Sequence, residues 1–267
     1  MMPPERMSNE QETTESNAPY QRTDQRQYGE LRPITFQNHI APHATGSTLI
    51  EWGLTRVICA ATIEDRVPRW MKEQNITGGW VTAEYAMLPY STLSRKTRDS
   101  SRGKIDGRSQ EIQRLIGRSM RAAVNPEALG ARTIWIDCDV LQADGGTRTA
   151  AITGSFVALS LAINRLLEAG QLTANPILKS VAAVSVGVVG STPLLDLCYE
   201  EDATAEVDLN IVMTSEQEYI ELQGTGEKTT FGTAALEQML GLARDGIATL
   251  SRLQKAALVS TTQPYGS

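Results

Sequence analysis

Leu141-Gln142-Ala143-Asp144-Gly145-Gly146-Thr147-Arg148-Thr149-Ala150 joins two stretches of opposite periodicity. Before it, Ile134 to Val140 alternates apolar and polar residues, the period of a half-buried strand. After it, from Ala151 to Ala169, Ile152, Phe156, Leu159, Ile163 and Leu166 recur at helical spacing. A strand therefore ends at two glycines, and a helix begins at Thr147-Arg148-Thr149. Glycine lets the backbone bend and approach a ligand closely. A helix start offers unpaired N–H groups and partial positive charge, which suit an anion. Arg148 adds a charged fork that fits phosphate oxygens. Two readings stay open, an anion-binding turn or a plain strand–helix turn capped by Thr147.

Working outward, residues 1–27 are rich in Pro, Glu, Ser, Thr, Asn and Gln. Such a segment buries too little apolar surface to offset its ordering entropy, so it reads as a disordered tail. Thr48–Glu51 and Thr55–Thr62 read as strands turning at Gly53. Gly78–Tyr85 reads as another strand, with Glu84 as an ion-pair partner and Trp80 and Tyr85 as core or rim. The helix bearing Ile112, Leu115, Ile116 and Met120 is expected to be capped by Ser109 and closed by Pro126 and Gly130. Asn175-Pro176 marks a connector. The chain thus divides into 28–170 and 171–258, followed by a polar tail, 259–267. In the second half, Val181–Val189, Leu194–Tyr199, Val207–Met213 and Tyr219–Gln223 read as strands, with a turn at Gly190–Pro193. Glu200–Glu206 reads as an acidic loop. A last helix starts near Gly232-Thr233, with Leu236, Met239, Leu240, Ala243, Ile247 and Leu250 on one face. The pattern is α+β or mixed α/β, in two related halves.

The composition is that of an ordinary soluble globular protein: 267 residues, 41% hydrophobic and 21% charged. No continuous apolar run reaches the roughly 18 residues that span a bilayer, and the polar N-terminus has no secretory core. Cys59, Cys138 and Cys198 are isolated, without metal or disulfide spacing, which fits a reducing cytoplasm. Only His39 and His43 are present, which excludes a histidine-rich metal site. The net charge of −6 argues against indiscriminate coating of nucleic acid. The segment 95–108 runs the other way: Arg95, Lys96, Arg98, Arg102, Lys104 and Arg108 stand against Asp99 and Asp106. It reads as a long loop, either solvated or a phosphate-binding patch.

Three groups could carry chemistry. Arg108 and the Gly146-Thr147-Arg148 turn could together hold a tetrahedral anion. The acidic cluster with Asp202 and Asp208 could bind a divalent cation, supply a general acid, or simply be solvated. Period two on Val207–Met213 places Asp208 and Asn210 on one face.

Several long stretches resemble ribonuclease PH. They are Gly79–Tyr85 with Met87-Leu88-Pro89 and Ser91-Thr92, Gly107-Arg108 with Glu111–Ile116, and Asp137–Ala150. Glu201-Asp202, Asp208–Met213 and Gln223-Gly224-Thr225 follow in the same order. The similarity runs from about Arg32 to Leu258.

The resemblance implies an α+β fold like the second domain of ribosomal protein S5, with mixed sheets packed with helices. It implies a phosphate-dependent 3′→5′ exoribonuclease that trims tRNA precursors and releases nucleoside diphosphates, and that can add nucleotides in reverse. It assigns inorganic phosphate to Arg108, Gly146, Thr147 and Arg148. It makes Asp202 and Asp208 the active-site aspartates, with Mg²⁺ beside them. Arg95 and Arg98 correspond to RNA-guiding arginines, and the expected assembly is a homohexamer, a trimer of dimers. Tyr90 stands where many members carry a basic residue, and Leu93 where a polar one is expected. The tail 1–27 is longer than the family norm. Two other readings compete. A non-catalytic RNA-binding ring subunit would have lost the arginines or aspartates. A hydrolytic metal-dependent nuclease would want a denser carboxylate cluster and would release monophosphates.

Overall fold

The computed structural model describes residues 20–259 of the chain. β1 (Ile34–Asn38), β2 (Gly46–Trp52), β3 (Thr55–Glu64), β4 (Trp80–Met87) and β5 (Thr133–Gln142) form a mixed sheet, ordered β1-β2-β3-β5-β4. β4 runs parallel to β5 and the other pairs are antiparallel. β6 (Val181–Val189), β7 (Thr192–Leu195), β8 (Val207–Thr214) and β9 (Tyr219–Gly226) form an antiparallel sheet, ordered β7-β6-β8-β9. The helices are α1 (Arg69–Glu73), α2 (Asp99–Arg102), α3 (Gly107–Ala123), α4 (Pro126–Leu129), α5 (Thr147–Glu168), α6 (Tyr199–Thr204) and α7 (Thr233–Val259). The expected α+β arrangement is the one the chain adopts.

α5 is the element both sheets share. It packs on β2 and β3 on one side and β6 on the other. It is long and apolar enough to cross a membrane, yet 83% of that stretch is buried within the protein. A helix that is apolar all round and enclosed by sheets is a core helix. The fit is close enough that a Cβ on Gly154 would lie 2.7 Å from Cys59 Sγ and 2.9 Å from Ile50. α3 flanks β4, and α7 flanks β6 and β7. The core is therefore continuous across the two halves, running from Ile50 and Ile136 through Ile152 and Phe156 to Val184 and Leu250.

The structure corrects several boundaries. Residues 20–27, read as part of a disordered tail, are anchored on the second half by Arg22, only 5% exposed, and Arg26, although most of the segment is exposed. Buried ion pairs order this segment, and an argument from apolar area does not count them. The rest of the expected tails, 1–19 and 260–267, lies outside the described residues. β1 is an extra five-residue edge strand after Pro33. The basic segment contains the short α2, and α3 starts at Gly107, with Asp106 as its N-cap. Ser109 is thus a buried residue inside the helix rather than its cap. β7 begins at Thr192 because Gly190 and Ser191, with φ of 53° and 59°, make a two-residue hairpin turn. Pro193 then sits on an edge strand, where a missing N–H is tolerated. Glu200–Glu206 is not a loop: residues 199–204 form α6.

Candidate active site

The site is built around the end of β5. Gly145 and Gly146 have φ of 72° and 64°, the left-handed region. A Cβ on Gly145 would lie 2.5 Å from Leu197 O, so this turn passes against the strand-to-helix connection of the other half. Thr55 Oγ1 donates to Gly145 O at 2.7 Å and accepts from Asp144 N at 2.9 Å. Arg32 Nη1 donates to Asp144 O. Gly146, not Thr147, is the N-cap of α5, and its carbonyl accepts from Ala150 N and Thr149 Oγ1. The Thr147 hydroxyl instead accepts from Tyr85 OH at 2.9 Å. Tyr85 is buried, as expected, and it also fixes a residue of the turn.

Arg148 points toward the second sheet. Its guanidinium bonds to Gln223 Oε1 and lies 3.5 Å from Glu111 Oε1. Gln223 Nε2 in turn donates to Glu111 at 2.8 Å. α3, α5 and β9 therefore meet at one arginine. Burial raises the Tyr85 phenol and the Asp202 carboxyl, and Arg108, exposed at the second position of α3, pulls both partly back.

The acids come from α6 and β8. Asp202 is on the exposed side of α6. Desolvation raises its carboxyl, outweighing the downward pull of Arg108 and Arg148. Asp208 is half-buried on β8, opposite Thr225 of β9. Burial, then Asp202, push Asp208 up to about 6, against Arg148 and a hydrogen bond from Asn210. That bond, Asn210 Nδ2 to Asp208 Oδ2 at 3.3 Å, bears out the shared face expected from the period of two. Asp208 Oδ1 is buried without a hydrogen-bond partner. Among the described residues, no cluster of three or more His, Cys, Asp or Glu could hold a metal ion.

Arg108, Thr147, Arg148, Asp202 and Asp208 are thus gathered into one neighbourhood. Arg95 and Arg98 are exposed on the segment before α3, and Arg98 lies beside Asp139, whose carboxyl it draws down against burial. Tyr90 is 67% exposed, and Leu93 is fully exposed. Glu84 has no ion-pair partner among the described residues; it faces Asp137 across the β4–β5 pair and helps to raise it. Glu227, just after β9, helps to raise both Asp202 and Asp208 and was not singled out from sequence. Nor was Glu201 assigned any role, although it is only 1% exposed. Neither residue carries a periodicity or spacing signal of its own.

Known proteins resemble this chain along most of its length. Residues 30–163 match domain 1 of the 3′ exoribonuclease family, and residues 179–246 match domain 2. The chain is 55% identical over 238 residues to ribonuclease PH of Bacillus subtilis, covering 89% of this chain and 96% of that one. It is 54% identical over 234 residues to ribonuclease PH of Solibacter usitatus, covering 88% and 98%. Among solved structures, rice Rrp46 superposes with a TM-score of 0.72 at 17% identity, covering 89% of this chain and all of that one. A chain of the Archaeoglobus fulgidus exosome with RNA bound to the active site gives 0.72 at 19% identity, covering 87% and 92%. At such identities these two structures speak for the fold alone. The relatives and the family match together settle the placement: the chain belongs to the 3′ exoribonuclease family, among the ribonucleases PH.

Proposed function

We propose that this chain shortens tRNA precursors and other RNAs from their 3′ ends by phosphorolysis, releasing nucleoside diphosphates, and that it runs in reverse to add nucleotides. The observation that carries the reading is the meeting of Arg108 and the Gly146-Thr147-Arg148 turn with Asp202 and Asp208. Phosphate is an anion attacking an anionic diester. The site must supply fixed positive charge where the two repel, and two arginines with a helix N-terminus do so without reorganising. A phosphate oxygen forms the new bond to the terminal phosphorus, and the bond to the 3′-oxygen of the preceding nucleotide breaks. The attacking phosphate gives up the proton that the leaving oxygen gains, and a carboxylate at Asp202 or Asp208 can relay it.

The residues fit Mg²⁺. The buried Asp208 Oδ1 lacks a partner, Asp202 stands beside it, and Mg²⁺ is commonly held by one or two carboxylates plus substrate phosphates. Asp202 and Asp208 would hold the ion, which when bound supplies Lewis-acid charge to the phosphates. Arg95 and Arg98 lie where a basic segment could guide a single-stranded 3′ end by its backbone. A homohexameric ring and a cytoplasmic setting complete this reading. A non-catalytic ring subunit is disfavoured because Arg108, Arg148, Asp202 and Asp208 are all present.

The test is incubation with a tRNA carrying extra 3′ nucleotides and Mg²⁺, with and without phosphate. Nucleoside diphosphates formed only with phosphate support the proposal. Monophosphates formed without it would mean hydrolysis, and RNA bound but left intact would mean a scaffold subunit.

A further inference from the structure

Asp202 lies on α6, a six-residue helix of the second half, while the phosphate turn belongs to the first. A helix that short has little stability of its own, so something else must fix where its carboxylate points. The answer is a buried ring of charges supplied by residues 22–32.

Arg22 grips Glu201 with both arms of its fork, Nε to Oε1 and Nη2 to Oε2, each at 2.8 Å. The side chains are 0% and 1% exposed. Arg22 also donates to Leu195 O at 2.9 Å and Asp196 O at 2.8 Å. Glu201 Oε2 accepts from Cys198 N at 3.0 Å, which pins the N-terminus of α6 next to Asp202. Tyr199 N then donates to Asp144 Oδ1 at 3.3 Å, tying α6 to the phosphate turn. On the other side, Asp196 accepts from Arg32 N at 2.7 Å, Arg32 Nη2 at 2.7 Å and Trp52 Nε1 at 2.8 Å. Arg32 Nη1 reaches Asp144 O and closes the ring. Arg26 adds a contact to Asp196 at 3.3 Å and one to Glu201 at 3.6 Å.

Buried ion pairs add little net stability over apolar packing, so the worth of this ring lies in the geometry it fixes. We propose that Arg22 is a positioning residue for phosphorolysis: through Glu201 it sets the reach of Asp202 toward Arg148, while Arg32 sets the phosphate turn through Asp144. The inference rests on the phosphorolytic reading above.

The full chain carrying Arg22→Lys or Arg32→Lys tests it. Lysine keeps the charge but cannot span several acceptors as a planar fork does. Phosphorolysis of a tailed tRNA is followed at varied phosphate, on protein shown by circular dichroism to be folded. For Arg22→Lys, kcat falls about tenfold or more while KM for phosphate stays within about twofold. For Arg32→Lys, KM for phosphate rises about fivefold or more and kcat changes less. A purely structural role would move both parameters alike in both variants, and that result, or a normal kcat in Arg22→Lys, overturns the inference. If Arg22→Lys does not fold, the same assay is made on Glu201→Gln, which keeps an acceptor for Cys198 N but loses the charge. A lower kcat with unchanged KM supports the proposal, and an unchanged kcat overturns it. A wild-type chain that releases no diphosphates brings down the phosphorolytic reading and this inference together, whereas a wrong pattern in the variants brings down this inference alone.

Discussion

The two sides of the candidate site are made differently. The Asp144–Arg148 turn takes its backbone shape mainly from two glycines in the left-handed region, and Arg32, Thr55 and Tyr85 brace it by hydrogen bonds. α6 instead takes its place from Arg22, which is 179 positions from Glu201 in sequence. One side is local geometry, and the other is long-range charge pairing. A turn shaped mainly by its own residues keeps most of its form when one distant contact is lost. A buried pair does not, because removing one partner leaves a charge without water or counterion.

That contrast can be broken at four points, from the largest effect to the smallest. Glu201→Ala leaves Arg22 buried and unpaired, and should cost about 3–5 kcal/mol of stability, read as a large fall in urea midpoint. A loss under about 1 kcal/mol would mean that the segment 20–32 simply swings away into solvent. Arg148→Ala should leave the melting temperature nearly unchanged. It should cut phosphorolysis by about 10²–10³, roughly 3–4 kcal/mol of transition-state stabilisation. A near-normal rate and phosphate dependence would remove that arginine from the site.

The third point is pH. Asp208 is raised to about 6, so it keeps its proton below that value and ionises above it. If Mg²⁺ needs the ionised pair, phosphorolysis should rise with pH through about 5 to 7, and higher Mg²⁺ should move the rise to lower pH by competing with the proton. A profile that ignores Mg²⁺ concentration breaks the assignment of Asp208 as a ligand. For stability the same shift has the opposite sense. A carboxyl raised in the folded state is easiest to accommodate while protonated, so its contribution worsens as pH rises from the unfolded value through about 6. Tyr85→Phe is the mildest change. It removes the bond to Thr147 and should cost about 1 kcal/mol of stability with a small rise in KM for phosphate. An unchanged KM would show that the turn needs no support from β4.

The turn was legible because each of its signals is short-range. Alternation before it, helical spacing after it and Gly-Gly between are all properties of neighbouring residues, and the boundaries of β5 and α5 followed from them. Arg108, Arg148, Asp202 and Asp208 stood out as groups that could carry chemistry, but only the resemblance gave them roles in one site, because nothing in their spacing says that α3, α5, α6 and β8 converge. The cap was misassigned at both helix starts, to Thr147 and to Ser109. In each case the residue just before the helix, Gly146 or Asp106, holds the N-cap position. α6 was missed because an acidic run of six or seven residues reads as solvated until a buried arginine is set against it. Gln223 and Glu111 were visible only as parts of a similar stretch, and their hold on Arg148 is a contact across 75 and 37 positions.

The sequence alone determined the alternation of strands and helices, the strand–Gly-Gly–helix turn and the family likeness. All of these rest on interactions within a few residues or on long runs of matching side chains. The tertiary structure decided that Arg22 and Arg32 are held in buried charge contacts with the second half, that Glu201 is a buried ion-pair partner and that burial pushes Asp208 up to about 6. Those depend on which charges the fold brings together out of water, and neither the pairing of distant charges nor their desolvation is written in the spacing of a chain.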